Sequence, residues 1–374
     1  METPCLQAGV DHGRITEHMT RSTLREIQIS PRRTLRPSPV FDTYWRFAHA
    51  RQHVFYKRIA GDTPPWTDDP VIGRNRFTNV YRASDRVSQF LIRDVLYAGD
   101  QSVNELFFRC LLFKIFNRID TWQNLAERVG GVSWREFNFE RYAQALDHMM
   151  ATGVSIYSAA YIMPSPAFGD RRKHRNHLRL LQEMLSTNAP DRIASADSLE
   201  QVFNILLSYR SMGRFLAFQF AIDLNYSTIC NFSEMDFVVA GPGAKDGVRK
   251  CFDDSSGLSE EDIIRAVTEC ADDEFARLGL QFDGLWGRPL QLIDCQNLFC
   301  EVDKYARVVH PEYSGASGRT RIKQKFEPRA RSCPQWYPPK WNVQVPSAQR
   351  SGAPSAAGAR GARQLSLLPV ETIG

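Results

Sequence analysis

The sequence predicts an all-α protein organised as a single helical domain, and three observations carry that expectation. Serine-led capping patterns recur: "SVNE" at Ser102, "SWRE" at Ser133, "SLEQ" at Ser198 and, in looser form, "SEED" at Ser259. In such a box the serine oxygen accepts from an amide three residues on, and the acid or amide side chain reaches back. The runs "LFFRCLLFKIFNRI" and "VFNILLSYRSMGRFLAFQFAIDL" are apolar at helical spacing. Alternation of the strand type is nearly absent, with "FVVAG" at 237–241 as the one short candidate.

Taken in order, residues 41–59, "FDTYWRFAHARQHVFYKRI", read as a helix with aromatics interleaved among Arg46, Arg51, Lys57 and Arg58. Such mixing suits unstacked bases, and Tyr44, Phe47 and Phe55 equally suit the core face of an amphipathic helix. His49 and His53 have metal-pair spacing without an evident third ligand. The run after Ser102 is a helix interrupted by Arg109, Lys114 and Arg118. The run after Ser198 is long enough for two helices broken near Gly213. A last helix spans 292–307. The flanks, 1–40 and 343–374, are rich in Arg, Ser, Pro, Gly and Ala without an apolar period, and are expected to be disordered. The domain is therefore expected over 41–342.

Composition narrows the function classes. A chain of 374 residues with 43% hydrophobic and 24% charged residues is ordinary for a globular protein. It shows no bilayer-spanning run and no secretion signal, so a cytoplasmic or nucleoid/nuclear location is expected, without a membrane partner. The eight cysteines contain no C-x-x-C pair, against a zinc knuckle or disulfide framework, and no cofactor or metal is expected. Net charge is +5, but residues 318–364 hold ten Lys/Arg against one Glu. A mildly acidic body with a basic tail suggests a polyanionic partner, or a solubilising tail.

Three segments hold candidate chemistry. In 241–250, "GPGAKDGVRK", Gly241 and Gly243 form a tight turn before a helix, and Lys245 and Arg249 follow one turn apart. Amides at such a turn favour a phosphate, although a plain helix-helix turn would look alike. Gln219 and Asp223 lie four apart on an apolar helix, where a lone carboxylate is costly to bury; Tyr226, Glu234 and Asp236 follow. On the helix at 292–307, Asp294, Asn297, Glu301, Lys304 and Tyr305 share about a third of the circumference. That is the composition of a polar cleft, or of a solvated face with Glu301 and Lys304 paired.

The stretches "NELFFRCLLFKIFNRIDTW", "YSAAYIM", "KHRNHLRLLQEM", "GRFLAFQFAIDLNYS", "DFVVAGPGAKDGVRKCF" and "LQLIDCQNLFCEVDKYAR" occur in this order. Together they resemble the helical domain of phage hydroxymethyluracil DNA kinases and the alpha-glutamyl/putrescinyl-thymine pyrophosphorylase-like proteins. The resemblance implies a fold related to helix-hairpin-helix DNA glycosylases, and a group transfer onto activated hydroxymethyluracil in DNA. Its implied partners are DNA containing modified thymine, a small amine or amino-acid donor, and a separate P-loop kinase. Two departures stand out. No G-x-x-x-x-G-K-[ST] loop occurs in the chain, and Gln296 stands where the pattern suggests an acid.

On this reading Asp223, Asp294 and Glu301 are the candidate catalytic acids. Gly241, Gly243, Lys245, Arg249 and Lys304 are the candidate DNA or phosphate contacts, and Tyr226 and Tyr305 the stacking partners of a flipped base. A glycosylase-like base remover and a non-catalytic DNA-binding module are the rivals.

Overall fold

In the computed structural model, residues 26–30, 33–255, 257–327 and 334–346 are described. Among the described residues the first element is a strand, not a helix. β1 (Ile27–Ser30), β2 (Arg33–Pro37) and β3 (Phe252–Asp254) form a small antiparallel sheet in the order β1-β2-β3. These strands lie in a stretch expected to be disordered and in one expected to be helical or loop. Their signal is a short two-stranded hairpin, with Leu35 and Pro37 buried and Arg36 exposed among the β2 side chains described. The candidate strand at 237–241 is irregular backbone instead.

Among the described residues, fourteen α-helices follow. α1 (Pro39–Ala60) starts on Ser38, whose oxygen accepts from Val40 N at 3.1 Å, with Pro39 in the first turn. It stops at Gly61, where φ is +86°. Its aromatics are core: Tyr44 and Trp45 are fully buried, and Tyr44 OH donates to Cys295 O at 3.2 Å. His53 Nδ1 meets its own helix at His49 O. α2 (Pro70–Arg74) and α3 (Arg86–Phe90) are short, and α3 runs into a π-helical turn at Leu91–Leu96.

α4 (Val103–Phe116) is buried from Glu105 to Phe116, which makes it the central helix. The expected box at Ser102 does not close. Glu105 instead accepts from Ser133 Oγ, Trp134 N and Arg135 N, so Ser133 belongs to a turn held by that carboxylate. α5 (Ile119–Val129), α6 (Phe139–Ala151, capped by Asn138), α7 (Lys173–Ser186) and α8 (Ala189–Ala194) surround α4. α9 (Leu199–Leu207) begins on Ser198 as expected, its oxygen accepting from Gln201 N. α10 (Arg214–Asn225) starts at the predicted break, with Gly213 as its N-cap.

α11 (Pro242–Cys251) crosses α14 (Leu292–Val309) closely, and the glycines set that distance. A Cβ on Gly247 would sit 2.1 Å from Phe299 O, and one on Gly243 2.9 Å from Cys300 Sγ. Between them lie α12 (Glu260–Glu269), which carries a complete capping box on Ser259 and Asp262, and α13 (Ala271–Arg277). Among the described residues no helix is long and apolar enough to cross a membrane.

The described residues run past the expected limit at 342 to residue 346, and residues 334–346 are well anchored. Trp336 N donates to Gln89 Oε1 at 2.7 Å. Lys340, counted above with the basic tail, donates to the carbonyls of Asn225, Ser227 and Cys230 at 2.5, 2.8 and 2.6 Å. It therefore clasps the C-terminal end of α10, where a cation meets the free carbonyls favourably. Residues 1–25 of the expected arm, and 347–374 of the expected tail, lie outside the described residues.

Candidate functional site

One side of α10 descends from the surface to the core at i, i+4 spacing: Phe215, Gln219, Asp223. Phe215 is half-buried, and Gln219 and Asp223 are 0% and 1% exposed. Asp223 receives two cations from distant elements. Arg82, from the 3-10 turn at Arg82–Ser84, places Nη1 2.7 Å from Oδ1. Lys114, from α4, places Nζ 2.8 Å from Oδ2, an ion pair at contact distance without hydrogen-bond alignment. Arg82 also donates from Nε to Gln219 Oε1 (3.0 Å) and from Nη1 to Tyr226 OH (2.9 Å).

Burial pushes the Asp223 carboxyl up, but Arg82 and Lys114 outweigh it and hold it below the usual carboxylate range. Asp223 is thus an ionised anchor for two cations. Asp294 behaves in the opposite way. Burial, reinforced by the Glu234 charge, raises it to about 7, even though Oδ1 accepts from Arg82 N (2.9 Å) and Oδ2 from Gln291 N (3.2 Å). Glu234 is itself paired with Arg288 at 2.8 Å. Around Asp223 the cations are therefore in excess of ionised acid. The Lys114 ammonium, with three donors, meets Asp223 and the face of Tyr161, 4.0 Å from the ring centroid. Tyr161 OH donates to Gln219 Oε1 at 3.3 Å, and its ring stacks on Phe215.

Residues 38–315 of the chain match the family described as "5-hmdU DNA kinase, helical domain". The chain belongs to this family. It is 29% identical over 316 residues to the "5-hmdU DNA kinase" of Bacillus phage SP10. That alignment covers 78% of this chain and 48% of the relative, so the chain spans about half the length of the relative it matches. No solved structure matches.

Within this helical-domain family member, the structure sorts the sequence candidates into groups. Asp223 and Asp294 converge on Arg82, one on its guanidinium and one on its backbone. Glu301 does not join them. It lies about two turns along α14, accepts from Thr78 N at 3.0 Å and pairs with Lys304 at 2.8 Å. Lys304 Nζ donates to Arg76 O at 2.9 Å, and Tyr305 OH to Asp69 Oδ2 at 2.5 Å. The polar face of α14 is thus a row of anchors for residues 69–82, the segment that delivers Arg82. It is not an open cleft, and Glu301, Lys304 and Tyr305 are already engaged.

Tyr226 is 1% exposed, with Arg82 over its ring and the edge of Trp341 against it, which leaves no face for a base. Two half-buried rings connect to Asp223 indirectly, Tyr161 through Lys114 and Phe215 through its stack on Tyr161. At the glycine turn, Gly241 is the N-cap of α11. Acids from the first turn of α12 stand beside it: Glu261 Oε1 accepts from Ala240 N at 3.0 Å, and Glu260 lies 3.4 Å from Lys245. Arg249 is exposed. Gln296, in place of the acid suggested by the pattern, is fully buried beside Gly241. Among the described residues no three His, Cys, Asp or Glu side chains gather as a metal set.

Arg82, Lys114, Tyr161 and Phe215 were not among the sequence candidates. Lys114 had one usable signal, a charge in the middle of an otherwise apolar helix. Arg82 had none, lying in an irregular segment without period.

Proposed function

We propose that this chain modifies a thymine-type base of DNA by group transfer at the 5-hydroxymethyl substituent of hydroxymethyluracil. The observation that supports this most is the buried Arg82–Asp223–Lys114 centre, whose excess cation suits a negatively charged group on the 5-methylene. The family name and that of the phage relative supply the substrate class.

In the transfer proposed, an amine nitrogen attacks the exocyclic methylene of an activated base. The C–O bond to the pyrophosphate breaks, pyrophosphate leaves with the electron pair, and the ammonium formed loses a proton. Arg82 and Lys114 would hold the departing anion, and Asp223 orients both cations. Asp294, raised to about 7 behind Arg82, has the proton affinity suited to neutral-pH acid-base work. A small amine or amino acid is the proposed donor, and a P-loop kinase the proposed source of the activated base. The base must leave the duplex to reach a buried centre. Arg249 and the partly engaged Lys245 are the proposed backbone-phosphate contacts beside the turn at Gly241 and Gly243.

Nucleoside mass spectrometry after incubation with hydroxymethyluracil DNA, a hydroxymethyluracil kinase with its phosphate donor, and an amine, with and without this chain, tests the proposal. Added mass on the modified nucleoside supports group transfer. Release of free base identifies a base-removing enzyme instead, and an unchanged nucleoside pool a binding module.

A further inference from the structure

Two buried amides in this site are half-satisfied. Gln219 and Gln296 are both 0% exposed, and Nε2 of Gln219 and Oε1 of Gln296 have no hydrogen-bond partner. Each such group costs about 1–3 kcal/mol when left unpaired. The orientation of Gln219 is fixed, because its Oε1 accepts from both Arg82 Nε and Tyr161 OH. Its amide nitrogen is therefore a donor facing a missing acceptor. Gln296 Nε2 leans on Cys300 Sγ at 3.5 Å, which leaves its oxygen as an acceptor facing a missing donor.

Both amides lie near Phe215. Phe215 lies one turn from Gln219 on α10. A Cβ on Gly241 would come 2.7 Å from Phe215 Cε2 and 3.5 Å from Gln296 Nε2, so only a glycine lets ring and amide approach the same backbone. Phe215 and Tyr161 lie ring on ring, with centroids 6.1 Å apart and planes at 21°. Tyr161 hangs from residues 152–172, a segment without helix or strand, and its neighbour Ile162 is 80% exposed. A cover made of two half-buried rings, one on a long irregular connection, is suited to opening.

We infer that Tyr161 and Phe215 cover a subsite that reads the imide edge of a uracil-type base, with Gln219 Nε2 donating to the O4 carbonyl and Gln296 Oε1 accepting from N3–H. The inference rests on the functional reading above and names how that site selects its base. The rings take the base face, and the 5-substituent points towards Lys114, which lies against Tyr161. Cytosine presents an amino donor to the Gln219 donor and an unprotonated N3 to the Gln296 acceptor, so both contacts become repulsive.

The test is binding to duplexes carrying one 5-hydroxymethyluracil, one 5-hydroxymethylcytosine or one thymine, each opposite an abasic site so that pairing does not differ. The wild type should prefer hydroxymethyluracil over hydroxymethylcytosine by about tenfold or more, the range of a good two-point base contact. Gln296→Met should abolish that preference while retaining duplex binding. Gln219→Met should do the same, and Gln296→Met decides alone if loss of the Arg82 contact unfolds the former. Preference retained in Gln296→Met overturns the inference. Equal wild-type binding to the two hydroxymethylated bases, both above thymine, overturns it too and leaves the functional reading standing. No preference for either over thymine removes the functional reading itself.

Discussion

Substituting the two sides of the buried centre separately should separate its structural part from its functional part. Asp223 is 1% exposed and touches Arg82 at 2.7 Å and Lys114 at 2.8 Å. Asp223→Asn keeps the shape and removes the charge, which leaves two buried cations without their counter-ion. Breaking a buried pair in this way costs about 3–5 kcal/mol. For a fold of this size, at about 2 °C per kcal/mol, the melting temperature should fall by roughly 6–10 °C. Lys114→Met also keeps the volume, but leaves Asp223 and Arg82 as a matched pair, with the Met sulfur against the Tyr161 ring. A volume-conserving change of this kind costs under about 1.5 kcal/mol, or under about 3 °C. Thermal melting of both proteins, with DNA binding measured alongside, makes the comparison. Lys114→Met should fold normally and lose the tighter binding of DNA carrying a 5-phosphomethyl uracil. If it loses as much stability as Asp223→Asn, Lys114 is a structural counter-ion and the reasoning for an anion-accepting centre fails.

Three further outcomes are expected. Asp294 is raised to about 7 in the folded state from about 4 unfolded, so the folded protein holds its extra proton between those values. Stability should fall as pH rises from about 4 to 7, by on the order of 4 kcal/mol from this group, with Asp85 (about 6) acting in the same direction. Asp294→Asn should flatten part of that decline, and an unchanged slope in melting temperature against pH would refute the assignment. Gly247→Ala drives a Cβ into Phe299 O and should lower melting clearly, whereas Gly213→Ala, with nothing within 4 Å, should be near neutral. Lys245→Ala with Arg249→Ala should reduce the slope of log affinity against log salt by between about one and two, less than two because Glu260 already shares Lys245. An unchanged slope places the DNA backbone elsewhere.

The parts of the fold and site legible in the sequence were those written within one helix. Gln219 and Asp223 stand out because two polar groups four apart on an apolar helix need partners, and those partners exist. The polar face of α14 was equally visible from its period, but the period cannot say what covers it. Solvent, ligand and a folded-back loop leave the same pattern, and here the loop from Asp69 to Arg82 lies across it. The capping signals show the same ambiguity. Ser198 and Ser259 cap helices, while Glu105 serves a turn nearly thirty residues away. Arg82, Lys114 and Tyr161 reach Asp223 and Gln219 only through tertiary packing, and no local pattern encodes those meetings. The glycines of α11 illustrate the converse, since Gly243, read with Gly241 as a phosphate turn, serves together with Gly247 to let two helices touch.

The central claim is that the buried cations take a negative charge carried on the 5-methylene of a flipped base. Equilibrium binding to three duplexes tests it most directly, with the central base being thymine, 5-hydroxymethyluracil or its 5-phosphomethyl form. Charge-assisted contacts are worth about 1.5–3 kcal/mol each, so the phosphorylated base should bind roughly ten- to a hundredfold tighter than the hydroxymethyl base. Lys114→Met should erase most of that margin. Equal affinity for the phosphorylated and hydroxymethyl bases in the wild type, or a margin unaffected by Lys114→Met, would contradict it.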